Sequence, residues 1–159
     1  LRPVAAVAPG VLGKTGIEVA EILEGMVRQI RPAAVVVIDA LASRQLSRLG
    51  CTVQLSDTGI RPGSGVGNTR KEISQNTIGV PVIAMGVPTV VDAVTLASDL
   101  LGGDGSDAMQ KADQNGRQMM VTPREIDLVI ERAAALIALS INCTLHPHLS
   151  AKDLLEIMA

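Results

Sequence analysis

The sequence predicts an α/β protein in which a sheet carries helices on both of its faces. Two short, continuous apolar runs, Ala34–Ile38 and Pro81–Met85, have the length and composition of buried strands. Around them, apolar residues recur at spacings of three and four, which is typical of amphipathic helices. Strands that alternate with helices form a parallel or mixed sheet with the helices packed against it. The length of 159 residues suits a single domain over 1–159.

The predicted elements follow one another in a regular order. They are an extended run Pro3–Ala8, a helix Val19–Ile30, a strand Ala34–Ile38, a helix Leu41–Leu49, a strand Cys51–Leu55, a strand Pro81–Met85, a helix from Thr89 through Leu101, a polar linker or lid at about 102–118, a long helix opened by Thr122–Glu125 with Pro123 at its first position, and a short helix that starts over Ser150–Asp153.

Capping signals predict where these helices begin and end. Thr15 and Glu18 have the spacing of a capping box, in which each side chain accepts a hydrogen bond from the other residue's backbone N–H. Pro32 follows the first helix and ends it, because the residue before a proline disfavours helical geometry. Thr89 is predicted to cap a later helix, with Asp92 in the capping-box position.

Composition argues against several classes of partner. The net charge of −2 and the absence of Phe, Tyr and Trp leave neither a basic surface nor aromatic platforms for nucleic acid. No run of about 18 apolar residues occurs, so no membrane contact is expected. Cys51 and Cys143 lack metal or disulfide spacing, and a reduced cytosolic protein is the simplest interpretation. Because the chain opens at Leu1 in what the pattern indicates is the lead-in to a strand, we expect a fragment.

Polar residues follow three predicted strands, at the sheet edge where α/β proteins bind ligands. Asp39 comes directly after Ala34–Ile38, and the segment SDTG follows Cys51–Leu55. A predicted turn over Gly86–Thr89 follows Pro81–Met85. If the strands are parallel, these three segments meet at one edge, and we place the candidate site there.

The stretch SDTGIRPGSGVGN, from Ser56 to Asn68, invites two interpretations that the rest of the chain does not support. Asp-Thr-Gly marks aspartic proteases, but those are all-β proteins that pair two such motifs. The glycines lack both the Gly-Lys-Ser/Thr ending and the strand-to-helix context of phosphate-binding loops. We therefore interpret the loop as a structural and binding wall of the site. Glycines that only take positive φ or permit tight packing remain the alternative.

Five segments taken together resemble one family. They read VAPGVLGKTGIE, VVVIDALASR, QLSDTGIRPGSGVGNTRKEIS, GVPVIAMGVPTVVDAVTLASD and MVTPREID, and they extend from Arg2 to about Leu145. They are similar to the bacterial germination protease, the endopeptidase that degrades small acid-soluble spore proteins when spores germinate. The resemblance implies a three-layer, phosphorylase/hydrolase-like fold akin to hydrogenase-maturation endopeptidases. It also implies a homotetramer, made as a self-processing zymogen, in the cytoplasm of the spore core.

The resemblance further implies an unusual acid protease that depends on two aspartates. One lies in the IDAL motif, here Asp39, and the other lies in an upstream glycine-rich segment that this chain does not contain. The chain alone is therefore expected to be inactive. Arg61 stands where the family pattern has histidine, which argues against a metal site, and no cofactor is expected. The candidate substrate-cleft residues are Asp57, Thr58, Gly63, Ser64, Gly65, Gly67, Asn68 and Thr89.

Each candidate also has a purely structural interpretation. An aspartate after a strand, such as Asp39, can cap the next helix, and Asp57 can form a turn with its own backbone. Thr89 can act as a helix cap alone. His146 and His148 are spaced like a pair of metal ligands, but they lack carboxylate or thiolate company, and a solvated turn is favoured.

The expected mechanism is general acid–base hydrolysis of a peptide bond. One carboxylate activates water, while a second, protonated carboxyl supports the developing oxyanion and then the leaving amine, because two adjacent carboxyls do not both ionise easily. Two alternatives stay open: a non-catalytic binding or regulatory fragment, and a metal-binding maturation-type endopeptidase.

Overall fold

A long central strand organises the mixed α/β architecture of the computed structural model, which describes residues 2–102 and 119–158. Contacts divide the chain into two compact units, one over Pro9–Arg124 and one that combines Leu1–Ala8 with Glu125–Ala159. The first unit holds the sheet, and the second holds two helices. The predicted α/β class is confirmed at this level.

The bounds of the elements are as follows. The first unit contains helices α1 (Leu12–Thr15), α2 (Val19–Ile30), α3 (Gln75–Ile78) and α4 (Ala93–Leu101), strands β1 (Val35–Ser43), β2 (Gln54–Ser56), β3 (Val82–Asp92) and β4 (Met120–Val121), and 3-10 turns at Leu46–Arg48 and Ser64–Val66. The second unit contains α5 (Ile126–Leu145) and α6 (Ala151–Met158).

Strand β3 pairs with each of the other strands in the described sheet. β1 runs parallel to it, from Val35 opposite Val82 to Ser43 opposite Val91. β2 pairs antiparallel on the other side of β3, and β4 pairs antiparallel with its last residues. The sheet is therefore mixed, and β3 is buried along most of its length because it has neighbours on both sides.

One face of the sheet packs against α2, which forms as predicted over Val19–Ile30. Leu23 and Val27 lie four residues apart on one side of this helix and are buried. Val35 and Val37 of β1 pack against the same cluster of buried residues, which also includes Val82 of β3. The core of the first unit therefore lies between α2 and this face, which we call the inner face.

The opposite face of the sheet, the outer face, exposes apolar side chains. Val36 and Ile38 of β1 are 43% and 54% exposed. Ile83 lies level with Val36 on β3, and Leu55 of β2 pairs with the β3 residue level with Ile38. Both are exposed as well. The prediction that Ala34–Ile38 is covered on both faces is therefore wrong for this chain.

Strand β1 is longer than predicted, and the helix predicted over Leu41–Leu49 does not form. Residues 40–43 continue the parallel pairing with β3, and this pairing overrides the local helical pattern. Only a 3-10 turn follows, at Leu46–Arg48. The backbone N–H of Leu46 donates a 2.6 Å hydrogen bond to Asp99 Oδ2, which joins this turn to α4.

Strand β3 also extends beyond its predicted end, so the turn predicted over Gly86–Thr89 is wrong. The strand runs to Asp92, and α4 begins one residue later. Asp92 rather than Thr89 is the N-cap: its Oδ1 accepts hydrogen bonds from the backbone N–H groups of Val94 at 3.1 Å and Thr95 at 2.8 Å. The N-cap therefore lies three residues later than predicted, because β3 continues to Asp92, seven residues beyond its predicted end at Met85.

The other predicted helix starts have mixed outcomes. The capping box of Thr15 and Glu18 does not form, because Thr15 is the last residue of α1 and Glu18 caps α2 without a side-chain hydrogen bond. Pro123 precedes α5 instead of lying in its first turn. The start at Ser150 is confirmed: its N–H donates to Asp153 Oδ2 at 2.9 Å, and the Asp153 N–H donates to Ser150 Oγ at 3.2 Å.

The second unit consists of α5, α6 and the segment Leu1–Ala8, whose described residues form no strand. Among the described residues, α5 is the one helix that is long and apolar enough to cross a membrane. The criterion is length and composition alone, and a single such helix is weak evidence for a membrane span. At its C-terminal end His146 is 7% exposed, so the prediction of a solvated turn is wrong for this residue, whereas His148 is exposed.

The glycine-rich loop of the first unit is shaped by its glycines. Gly63 and Gly67 have φ values of 73° and 70° and flank the 3-10 turn Ser64–Val66. The N–H of Asn68 donates to the carbonyl of Gly63 at 2.9 Å and closes the loop. A Cβ on Gly63 would overlap the Asn68 carbonyl. Positive φ therefore accounts for glycine at these two positions, and their role as a wall of the site stays a prediction.

Substituting the cap of α4 should measure how much this hydrogen-bonded end stabilises the first unit. We expect Asp92→Ala to lower the free energy of unfolding by about 1 kcal/mol at pH 7, since two backbone N–H groups lose their acceptor. Asp92→Asn should keep most of the stability, because asparagine caps about equally well. Urea denaturation of the three chains gives the values, and an alanine variant as stable as the unchanged chain would contradict the assignment.

The same residue should make stability depend on pH. Burial raises the pKa of Asp92, but the hydrogen bonds from Thr95 and Val94 outweigh it, so the pKa lies below its ordinary value of 3.8. A depressed pKa means that the stabilisation is complete above the ordinary value and is lost as the pH falls through the folded-state value. Urea denaturation between pH 3 and 7 should show a larger loss in the unchanged chain than in Asp92→Asn, because other carboxyls with lowered pKa values remain in both.

A pair of glycine substitutions separates backbone strain from steric overlap. Gly63 and Gly79 both have positive φ, but a Cβ on Gly79 would meet nothing within 4 Å. Gly79→Ala should therefore cost about 1–2 kcal/mol of unfolding free energy from strain alone. Gly63→Ala should cost more, because the Asn68 carbonyl must also move. Equal losses in chemical denaturation would show that the loop relaxes freely around residue 63.

Candidate active site

Asp39 lies inside strand β1 and not directly behind it. Its backbone is level with Gly86 in the parallel pairing with β3. Side chains alternate along a strand, so Asp39 points to the inner face together with Val35 and Val37. The prediction that Asp39 follows the strand is wrong because β1 continues to Ser43. A carboxyl group therefore stands on the sheet at the edge of the apolar core.

The environment of Asp39 favours its protonated form. Burial raises the pKa of this carboxyl, and a 2.9 Å hydrogen bond from the N–H of Ala40 to Oδ1 partly opposes the shift. Within the described residues the shift thus comes from burial and not from a second carboxylate. A carboxyl that keeps its proton to higher pH suits the acid role in acid–base hydrolysis.

The SDTG loop does not meet Asp39 at one sheet edge. The predicted strand Cys51–Leu55 is observed as β2, and it pairs antiparallel to β3, with Ser56 opposite Ala84. The loop therefore leaves towards the beginning of β3, whereas Asp39 lies level with the middle of that strand. Because β3 separates β1 from β2, the backbones of Asp39 and Asp57 are roughly 10 Å or more apart.

Asp57 and Thr58 belong to a local turn. Asp57 is exposed, and the hydroxyl oxygens of Ser56 and Thr58 are 2.8 Å apart. The Thr58 N–H also donates to Ser56 Oγ at 3.2 Å. Gly59 has a φ of 91° and passes close to the backbone of residues 73 and 74. These contacts account for the motif as a turn, and a substrate role for Asp57 and Thr58 stays a prediction.

The loop that contains Gly63, Ser64, Gly65, Gly67 and Asn68 reaches β1 near Asp39. A Cβ placed on Gly65 would lie 2.7 Å from the Cβ of Ala42, so only glycine allows this approach. Ala42 is three residues beyond Asp39, next to the irregularity in the pairing of β1 with β3. The loop contacts β1 at this point, and its role as a wall of a substrate cleft stays a prediction.

Thr89 lies inside β3 at an irregularity of the sheet. Leu41 pairs with Pro88 and Ala42 pairs with Val90, so Thr89 is passed over in the register with β1. It is buried, and its carbonyl accepts a 2.9 Å hydrogen bond from Thr122 Oγ1. Thr89 is therefore part of the sheet. Its predicted role in the substrate cleft stays a prediction.

Sequence reasoning missed Leu41, and it placed Gly86 near the site only as part of a turn. Gly86 lies level with Asp39, and the side chain of Leu41 occupies the space that a Cβ on Gly86 would need. A signal was present, since a glycine inside a strand often marks a close approach of another group. It was overlooked because Gly86 was assigned to a turn.

Metal-binding groups are few in the residues that the structure describes. No three His, Cys, Asp or Glu side chains there are close enough to hold an ion. In the second unit, the rings of His146 and His148 have their centroids 6.1 Å apart. In the first unit, Arg61 forms a 2.7 Å ion pair with Glu72.

One family model and several known proteins match the chain, and they carry the same description. A family model described as germination protease matches residues 1–102. The germination protease of Clostridium perfringens is 44% identical over 180 aligned residues, which cover 97% of this chain and 55% of that protein. That of Caldanaerobacter subterraneus subsp. tengcongensis is 43% identical over 184 residues, covering 99% and 57%.

A more distant relative agrees with these two. The germination protease of Geobacillus sp. is 39% identical over 202 aligned residues, which cover 91% of this chain and 54% of that protein. The chain thus spans about half the length of the curated relatives that it matches. The family model matches well over half of the residues of the chain, and these relatives are 39–44% identical to it. The chain therefore belongs to the germination protease family.

Proposed function

We propose that this chain forms part of an endopeptidase that degrades small acid-soluble spore proteins during spore germination. The observation that carries the proposal is Asp39, a carboxyl held on the sheet with a raised pKa in a member of the germination protease family. The substrate class follows from the family resemblance. The enzyme is expected in the cytoplasm of the spore core, without a cofactor.

The proposed mechanism uses Asp39 as one of two acidic groups. Its raised pKa supports a protonated role at the start of the reaction, in which it hydrogen-bonds the substrate carbonyl and later protonates the leaving amine. A second, ionised carboxylate would take a proton from the attacking water. Asp57 is too far from Asp39 to fill this role, so we assign the second carboxylate to the part of the relatives that this chain does not span.

The isolated chain should therefore fold, or bind a partner, without cleaving a peptide bond. That behaviour would match the alternative of a non-catalytic binding or regulatory fragment, which the span of about half the relatives' length also favours. The two proposals differ in what happens when the rest of the protein is supplied. Only the peptidase proposal predicts that cleavage returns and that it then depends on Asp39.

The proposed complete enzyme has a three-layer, phosphorylase/hydrolase-like architecture and assembles as a homotetramer. The outer face of the sheet supports a further layer, because parallel strands such as β1 and β3 are normally covered on both sides. We retain the single domain over 1–159, with a linker or lid at about 102–118, whose residues 103–118 lie outside those described. We also retain Asp57, Thr58, the glycine-rich loop and Thr89 as proposed cleft residues.

Replacing Asp39 tests the proposal when the missing half is present. A chimera of the Clostridium perfringens relative, with its matched region replaced by this chain, should cleave a small acid-soluble spore protein. Asp39→Asn in the chimera should lower turnover by a factor on the order of 10² or more, because it removes an acid–base group and keeps the shape. The measurement is the initial rate of cleavage, beside a thermal melt of each variant.

Asp57→Asn in the same chimera is the matched control. It changes an exposed carboxyl that we propose to line the cleft but not to transfer a proton, so its effect on turnover should be far smaller than that of Asp39→Asn. A folded Asp39→Asn chimera that cleaves at the unchanged rate would refute the role of Asp39. A correctly folded chimera that does not cleave the spore protein, although Asp39 and Asp57 are unchanged, would favour the non-catalytic alternative.

A further inference from the structure

Leu41 reaches across the sheet to the level of Asp39. In the register of the two strands its backbone partner is Pro88, which lies two residues beyond Gly86. Its side chain nevertheless extends back over Gly86, since a Cβ on that glycine would lie only 2.5 Å from Leu41 Cγ. The absence of a side chain at residue 86 therefore creates the space that Leu41 fills.

The same geometry brings Leu41 beside the carboxyl of Asp39. Both side chains point to the inner face, because they are two residues apart on one strand. Gly86 is the cross-strand neighbour of Asp39, so a group lying over Gly86 occupies the position next to the Asp39 side chain. Gly86 is buried and Leu41 is partly buried, which leaves little room for water between them.

We propose that Leu41 and Gly86 are positioning residues for Asp39: the glycine opens a space on the sheet, and leucine fills it and shields one side of the carboxyl from water. The inference rests on the proposed function for its relevance to cleavage, but its physical content concerns the protonation of Asp39 alone. It agrees with burial being the largest cause of the raised pKa of this group.

Charged groups on the surrounding elements do not explain the same effect. The 3-10 turn Ser64–Val66 has no titratable residue, and β3 has only Asp92 at its far end, where it caps α4. The acidic residues flanking or within α2 include two that form ion pairs with the segment after the glycine-rich loop. Glu24 pairs with Lys71 at 2.9 Å, and Glu18 pairs with Arg70 at 4.0 Å. Glu24 also pairs with Arg28, and the negative charge of Glu21 helps to raise the pKa of Lys71.

Titration of Asp39 in the chain itself tests the proposal. The carboxyl carbon of aspartate can be followed by NMR across pH, and the signal that disappears in Asp39→Asn identifies the residue. We expect Leu41→Ala to move the titration midpoint of Asp39 to lower pH, because water gains access and the desolvation that raises the pKa is reduced. Leu55→Ala, an exposed leucine on the outer face, is the matched control and should leave the midpoint unchanged.

Two further variants keep the test decisive if Leu41→Ala does not fold. Leu41→Val keeps an apolar, strand-favouring residue but is too short to cover Gly86, so the midpoint should again move to lower pH. Leu41→Met restores the reach of the side chain and should restore the midpoint. An unchanged midpoint in folded Leu41→Ala or Leu41→Val, or the same shift in Leu55→Ala, would overturn the proposal.

The outcome can be separated from that of the proposed function. If Asp39→Asn leaves cleavage by the chimera unchanged, Asp39 is not catalytic, yet the titration experiment still decides whether Leu41 shields it. If Asp39 is catalytic but its midpoint does not respond to Leu41, only the positioning role is lost. If both hold, Leu41→Ala should also move the pH profile of cleavage by the chimera to lower pH.

Discussion

The parallel pairing of β1 with β3 is the constraint on which the rest of the first unit depends. The pairing runs over the whole of β1. β2 then pairs with the opposite side of β3, and β4 pairs with the last residues of β3. Because side chains alternate along each strand, this one register decides which residues enter the core and which face outward. It places Asp39 on the face that α2 covers, and a shift by one residue would turn that carboxyl to the opposite face.

The register also explains the chemical character of the candidate site. The carboxyl of Asp39 is two residues beyond Val37, which packs against the hydrophobic cluster, and its residue lies level with Gly86 in the middle of β3. Such surroundings raise the pKa of a carboxyl without any partner charge. Packing alone thus favours the protonated form of Asp39 in this chain.

Much of the fold could be predicted from the sequence where one physical signal acted alone. The helix Val19–Ile30 was predicted with its apolar face and its C-terminal end correct, because its apolar stripe is regular and a proline follows it, whereas its start at a Thr15 capping box was wrong. The helix over Leu41–Leu49 was wrong because its pattern is local, whereas the competing strand depends on β3 far along the chain. Thr89 was taken as a cap because nothing in the local sequence shows that β3 continues to Asp92.

The candidate site was predictable to a similar extent. Asp39 stood out because it directly follows an apolar run and lies in the IDAL motif of the family resemblance, although the structure places it within the strand. The convergence of three strand ends could not be predicted correctly, since the direction of β2 depends on pairing and not on its own residues. Leu41 was missed for the same reason: its contact with Gly86 exists only after the two strands have come together.

The distance along the chain between the two main strands has a consequence for how the chain folds. Val35 and its partner Val82 are about 47 positions apart, and every further pair of that ladder is at least as distant. A large loop must therefore close before the first of these contacts can form, and proteins dominated by such non-local pairings fold slowly. Until that closure, the apolar strand VVVIDALAS lacks its partner β3, and aggregation can compete with folding during this interval.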